Sequence, residues 1–177
     1  MSLQPSEPLG DSLPQTFDVS VIMQQSPSEN PWIDSCWEAV GVLAGKTDGA
    51  QEVPEPAKVE LIHEESGVRR FLFRGFTLRL HADECESYYH NLLAPSPCCY
   101  LVATVTDDGT PQPMLLTLSF DEAHAYLEGD ENLYTMPIPP EVYQWTEAYV
   151  LTHYIPEKRT KRKRQDWRQD KGRNPNE

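Results

Sequence analysis

Apolar and polar residues alternate with period two through the first two thirds of the chain, as strands with one buried face require. Phe17, Val19, Val21 and Met23 share one face of a first strand, and "CWEAVGVL" (36–43) and "KVELIH" (58–63) read as two more. In "RRFLFRGFTLRLH" (69–81) the apolar phase moves from Phe71 and Phe73 to Phe76, Leu78 and Leu80. That change of parity predicts a bulge or tight turn at Gly75, where glycine tolerates the backbone angles. "CCYLVATV" (98–105) and "PMLLTLSF" (113–120) flank "TDDGTPQ", whose Asp108-Gly109 pair signals a hairpin. The pattern predicts an antiparallel sheet of about six short strands.

Helical periodicity interrupts and then ends this alternation. Cys85, Tyr88, Tyr89 and Leu92 stand at i, i+3, i+4 and i+7, with Asp83 and Glu84 at the amino end, where the helix dipole favours negative charge. Ser119 and Glu122 form a capping-box pair for a second helix, closed by Gly129. In "PPEVYQWTEAYVLTHY" Pro140 suits a first helical turn, and Val142, Trp145 and Tyr149 line one stripe. This C-terminal helix is predicted to dock on the sheet. The fold class is α+β, a curved, barrel-like antiparallel sheet with two or three helices.

Composition divides the chain into three parts. With 177 residues, 38% of them hydrophobic, one core of ordinary size is affordable. Residues 1–16 are polar and hold Pro5, Pro8 and Pro14, so the prediction there is disorder. A single domain is predicted over 17–156 and a basic, disordered tail over 157–177. No stretch reaches the ~20 apolar residues that cross a bilayer, and the N-terminus lacks the basic and apolar regions of a signal peptide. The predicted location is the cytoplasm, with no membrane insertion.

Charge sharpens that division. The formal net charge is −13, yet residues 157–177 hold nine basic residues against four acidic, a net of +5. The rest therefore carries 6 basic against 24 acidic residues, a net of −18. Such a body repels nucleic acid, whereas the tail attracts phosphate, anionic lipid or an acidic protein surface.

Candidate chemistry is sparse. "GVLAGKT" (41–47) is one residue short of a phosphate-binding loop, has Val40 where a glycine belongs, and is followed by prolines that forbid the receiving helix. Glu64-Glu65, Asp107-Asp108 and Asp130-Glu131 could supply an acid and a base, but each falls in a predicted turn of a very acidic body. His81 and Cys85 are spaced to face one metal from a helix, and two ligands do not make a site. Cys36, Cys85, Cys98 and Cys99 are predicted to be thiols, packing as small hydrophobes, with vicinal chemistry at Cys98-Cys99 as the alternative. Trp32 and Trp37, near the Asn30-Pro31 turn, either anchor a strand to the core or form an aromatic binding surface, the core being favoured. Trp37 and Trp145 are both predicted to be buried. No catalytic residue, cofactor or metal is predicted.

"NPWIDSCWEAVGVL", "EGDENLYTMPIPPEVYQW" and "HYIPEKRTKRKR" together resemble a bacterial family of unknown function, encoded beside molybdenum-dependent formate dehydrogenase and its accessory genes. The resemblance runs over residues 19–164 and rests on the order of these segments. Where that family has a basic residue before the Asn-Pro-Trp turn, this chain has Gln24-Gln25-Ser26. The family has no established catalytic residues, so none transfers. What the resemblance implies is a cytoplasmic protein working around a formate dehydrogenase, in its assembly or regulation.

The tail then supplies the candidate binding residues: Lys158, Arg159, Lys161, Arg162, Lys163, Arg164, Trp167 and Arg168. A run of Lys and Arg with one aromatic suits an acidic protein partner, such as a formate dehydrogenase subunit or an accessory factor. RNA or another nucleic acid is the alternative partner, and a solvated tail that maintains solubility is the reading without one.

Overall fold

Alternation at Phe17, Val19, Val21 and Met23 builds β1 (Thr16–Pro27), the hub of the larger sheet, in a computed structural model that describes residues 13–45, 58–127, 129 and 131–156. It pairs antiparallel with β2 (Ser35–Ala44) on one side. After β3 (Lys58–Glu65), β4 (Val68–Arg79) takes the other side, giving a four-stranded sheet of order β2-β1-β4-β3. A 3-10 turn at Ala82–Glu84 leads into α1 (Cys85–Leu92). Next come β5 (Cys98–Val105), β6 (Pro111–Thr117), α2 (Phe120–Ala125), β7 (Asn132–Pro137) and α3 (Pro140–His153). The three later strands form a second antiparallel sheet of order β6-β5-β7.

The α+β class holds, but the single barrel-like sheet does not: two sheets, of four and three strands, replace it. β7 packs beside β2 and β6 beside β4, so the second sheet lies across the first. No hydrogen-bonded ladder joins either pair of strands among the described residues. Proline is one cause. Pro111 and Pro113 in β6 and Pro137 in β7 have no N–H to donate, which confines these strands to edges. The extra strand is β7, absent from the period-two prediction.

The parity change in β4 is a bulge. Val19 lies opposite Phe76 and Val21 opposite Phe73, so β4 carries one residue more than β1 across this interval. Gly75 occupies it with φ 94°, in the region glycine enters freely. The bulge keeps Phe71, Phe73, Phe76 and Leu78 on the face that carries Val19, Val21 and Met23. That face meets Leu101, Leu116 and Met136 of the second sheet, while Cys85, Tyr88 and Leu92 of α1 and Val142, Trp145 and Tyr149 of α3 complete the core.

Helix caps follow the sequence with two adjustments. Ser119 Oγ accepts the Glu122 N–H at 3.0 Å, as a cap should. The Glu122 carboxylate does not return to Ser119; it accepts from Thr117 Oγ1 at 2.5 Å, and the Ser119 N–H donates to Thr117 Oγ1 at 3.0 Å. α2 ends at Ala125, short of Gly129. α3 starts with Pro140 at its first turn and buries the predicted stripe. Its Trp145 is 8% exposed, but Trp37 is half-buried, stacked on Phe71 at 5.4 Å. The register explains the difference: Trp37 lies opposite Gln25, beyond Met23, the last buried residue of β1.

Candidate interaction surfaces

The tail residues named from sequence, Lys158, Arg159, Lys161, Arg162, Lys163, Arg164, Trp167 and Arg168, lie outside the described residues. Their point of departure is well defined. Tyr154 follows α3 with extended angles (φ −115°, ψ 124°), its N–H still bonded to the Val150 carbonyl at 2.8 Å. Its ring packs on Tyr89 of α1 at 5.2 Å, which ties the end of α3 to the body. Leu151 and Ile155 are 78% and 87% exposed, so two aliphatic side chains stand where the basic run begins.

Asp130 lies outside the described residues, and the other paired carboxylates stand in turns and at strand ends. Glu64 bonds Arg69 at 2.8 Å, and Glu65 lies 3.7 Å from His63. Asp108 accepts from Thr106 Oγ1 and from the Thr110 N–H inside the β5–β6 hairpin, and the Thr106 bond foremost lowers its pKa. Glu131 accepts the Gly129 N–H at 2.7 Å. Gly41 lies in β2, which runs on to Ala44, and Gly45 is a bend with φ 109°, so the described part of the Gly-rich stretch is a strand and its end.

A buried polar knot, which the sequence reading passes over, joins α1, α2 and β5. Ser119 Oγ donates to Glu84 at 2.5 Å while capping α2. Asn91 of α1 donates through Nδ2 to the Cys98 and Leu118 carbonyls, both at 2.8 Å, and accepts the Cys98 N–H at 3.1 Å. Tyr88, fully buried, accepts the His81 N–H at 3.2 Å. Burial first, then the charges of Glu122 and Glu84, push its phenol well above the usual tyrosine range. The signal for this knot is present but nonlocal: Ser119 meets Glu84 from 35 residues away, and Asn91 meets the Leu118 carbonyl from 27.

Cysteine geometry removes vicinal chemistry. Cys98 and Cys99 are successive residues of one strand, so their side chains point to opposite faces. Cys99 is fully buried, and its thiol is pushed up to about 12, by burial first and then by Cys98. Cys85 is buried as well, donating to the His81 carbonyl at 3.8 Å, with a pKa raised by burial and by Asp83. No group of three or more His, Cys, Asp or Glu residues is placed to hold a metal among the described residues. Thiolate is the reactive species, so a disulfide reagent should titrate exposed Cys36 quickly and half-buried Cys98 more slowly. Cys85 and Cys99 should respond only after denaturation, and fast modification of either in the native protein would contradict the placement.

Grooves cross the surface among the described residues. One, of about 510 Å³, runs between the Val40 to Ala44 edge of β2 and the Pro137 to Glu141 approach to α3. Another, of about 640 Å³, is lined by Ser96, Cys98, Thr135, Met136, Ile138 and Tyr143, among others. Glu141 is the ionisable group of the first, and Cys98 and Tyr143 are those of the second. Neither lining pairs an acid with a base.

The remaining feature is the turn between β1 and β2. Trp32 there is 91% exposed, against the expectation that favoured the core for this pair of tryptophans. Among known proteins, the model of one family, described as "Protein of unknown function (DUF3305)", matches residues 18–164. No curated protein and no solved structure matches the chain.

Proposed function

We propose, for a chain that belongs to the DUF3305 family of unknown function, the role of a non-catalytic accessory or adaptor protein that captures an acidic protein partner through its basic C-terminal tail. The observation that carries this reading is the charge partition: a tail of +5 on a body of −18. Opposite charge on a partner steers encounter and sets orientation, and a cluster of Lys and Arg offers an acidic surface many donors at once. Leu151 and Ile155, exposed at the root of the tail, add apolar contact to that electrostatic attraction. The partner we favour is a formate dehydrogenase subunit or one of its accessory factors, met in the cytoplasm during assembly or regulation. That part rests on the resemblance of the ordered segments in residues 19–164.

The end of α3 has a contact of its own in the body, because Tyr154 packs against Tyr89 before the basic run starts. Ending the chain after Glu157 should therefore abolish capture of the partner while leaving the melting curve nearly unchanged. Neutralising Lys161, Arg162, Lys163 and Arg164 together should have the same effect. Capture by the full chain should weaken from low to physiological salt, mainly through the association rate. A truncated chain that captures the same partner with the same salt dependence would move the binding surface to the body.

A further inference from the structure

The turn between β1 and β2 holds a tryptophan out in solvent. The Ser28 N–H donates to the Asp34 carbonyl at 3.4 Å and the Ile33 N–H to the Asn30 carbonyl at 3.1 Å. The Asn30 N–H donates to Ser28 Oγ and the Trp32 N–H to Asn30 Oδ1, each at 3.1 Å. Pro31 fixes one φ between them. The loop is thus ordered by its own bonds, and still Trp32 is 91% and Ile33 50% exposed. A tryptophan offers 150–250 Å² of surface for burial, and a preordered loop loses little entropy when a partner covers it.

Charge defines what could cover it. Glu29 and Asp34 stand exposed in the same turn, which contains no Lys or Arg. The β3–β4 turn lies alongside: a Cβ on Gly67 would come within 3.1 Å of Pro27. That neighbour adds exposed Glu65, while its Arg69 is already bonded to Glu64 at 2.8 Å. The indole and the isoleucine therefore share their turn with two exposed carboxylates, Glu29 and Asp34, while the nearest cation without a carboxylate bond, Arg70 of β4, is held by Gln24 at 2.8 Å beyond the turn.

We infer that the turn at residues 28–34 is a preformed docking element, and that its partner is a protein presenting an apolar pocket rimmed by Lys or Arg. Such anchors are the hot spots of protein interfaces, where a central tryptophan fills a pocket and flanking charges set orientation. The turn also lies at the opposite end of β1 from the contact with α3. Phe17, near one end of β1, packs on Trp145 of α3 at 5.2 Å, and Pro27 closes the other end. At about 3.3 Å per residue the two ends are roughly 30 Å apart. An acidic, aromatic contact at one end and a basic one at the other would let one chain bridge two surfaces of opposite charge. The docking element does not depend on the tail reading.

The test places a photo-crosslinking amino acid at position 32 of the full chain in its native host, with the same substitution at exposed Leu43 as the control. The protein joined at position 32 is identified, its crosslinked residues are mapped, and it is purified for binding measurements. The expected result is one partner, joined within an apolar pocket flanked by Lys or Arg. Trp32→Ala should raise its Kd at least about tenfold at unchanged melting temperature, and Glu29→Lys with Asp34→Lys should slow association several-fold. The chain ending after Glu157 should still bind it, which separates this site from the tail. Adducts only with other copies of this chain, no adducts beyond those of the Leu43 control, or a Kd indifferent to Trp32→Ala would each overturn the inference.

Discussion

Trp145→Ala should destabilise the protein by about 3–5 kcal/mol, a loss on the order of 10 °C in melting temperature for a chain of this size. The indole is 8% exposed in the stripe that joins α3 to the sheet, and it does two things there. Its ring meets Phe17 at 5.2 Å, so truncation opens a cavity between α3 and the first strand. Its Nε1–H donates to the Pro14 carbonyl at 2.6 Å, fixing the chain as it enters β1. Trp145→Phe separates these contributions: it keeps most of the apolar volume and loses the bond, at a cost of about 1 kcal/mol. Trp37→Ala, at a half-buried site, should cost less than Trp145→Ala. A Trp145→Ala protein that melts like the parent would remove α3 from the core.

Local pattern and global pairing were unequally readable from the sequence. Of the six strands read, β3 rested on its β-branched and aliphatic residues, although Val59, Leu61 and Ile62 all stay exposed; the other five were legible because one face of each meets the core, so apolar residues recur every second position. The bulge at Gly75 was legible for the same reason, since a register slip reverses the phase of everything after it. β7 was not. "NLYTMP" is short, ends in proline and is followed by two more, which looks like a loop until β5 offers it a ladder. The division into two sheets was equally hidden, because the choice of partner at an edge depends on residues far apart in sequence. Trp32 and Trp37 make the limit concrete. Both precede or begin an apolar run, and only the internal bonds of the turn decide that one faces solvent while the other stacks on Phe71. The tail was legible as composition alone, and that is the level at which its role is proposed.

Asn91→Ala should cost about 2–4 kcal/mol, because three backbone groups, one buried and two part-buried, depend on this one side chain. Asn91 is 7% exposed on α1, and its amide bonds the Cys98 N–H, the Cys98 carbonyl and the Leu118 carbonyl. These groups lie at the start of β5 and just before the α2 cap, so one residue ties a helix to both strands of a hairpin. Truncation removes the side-chain partner of two carbonyls and one N–H, of which the Leu118 carbonyl is buried away from water. Asn91→Asp is nearly isosteric and should be worse at neutral pH. The oxygen that replaces Nδ2 would face two carbonyl oxygens, and the charge would sit in a buried site. That environment raises the folded-state pKa of the new carboxyl above its unfolded value of about 4. Protonation then favours the folded state, so the destabilisation of the Asp variant relative to the parent is full at pH above the raised folded pKa. It shrinks as pH falls toward the unfolded value, where a protonated carboxyl donates to one of the two carbonyls. Unfolding in denaturant at several pH values checks the sign. If the gap between Asn91→Asp and the parent is constant with pH, or widens toward acid, the amide does not face those carbonyls and the tie between α1 and the β5–β6 hairpin must lie elsewhere.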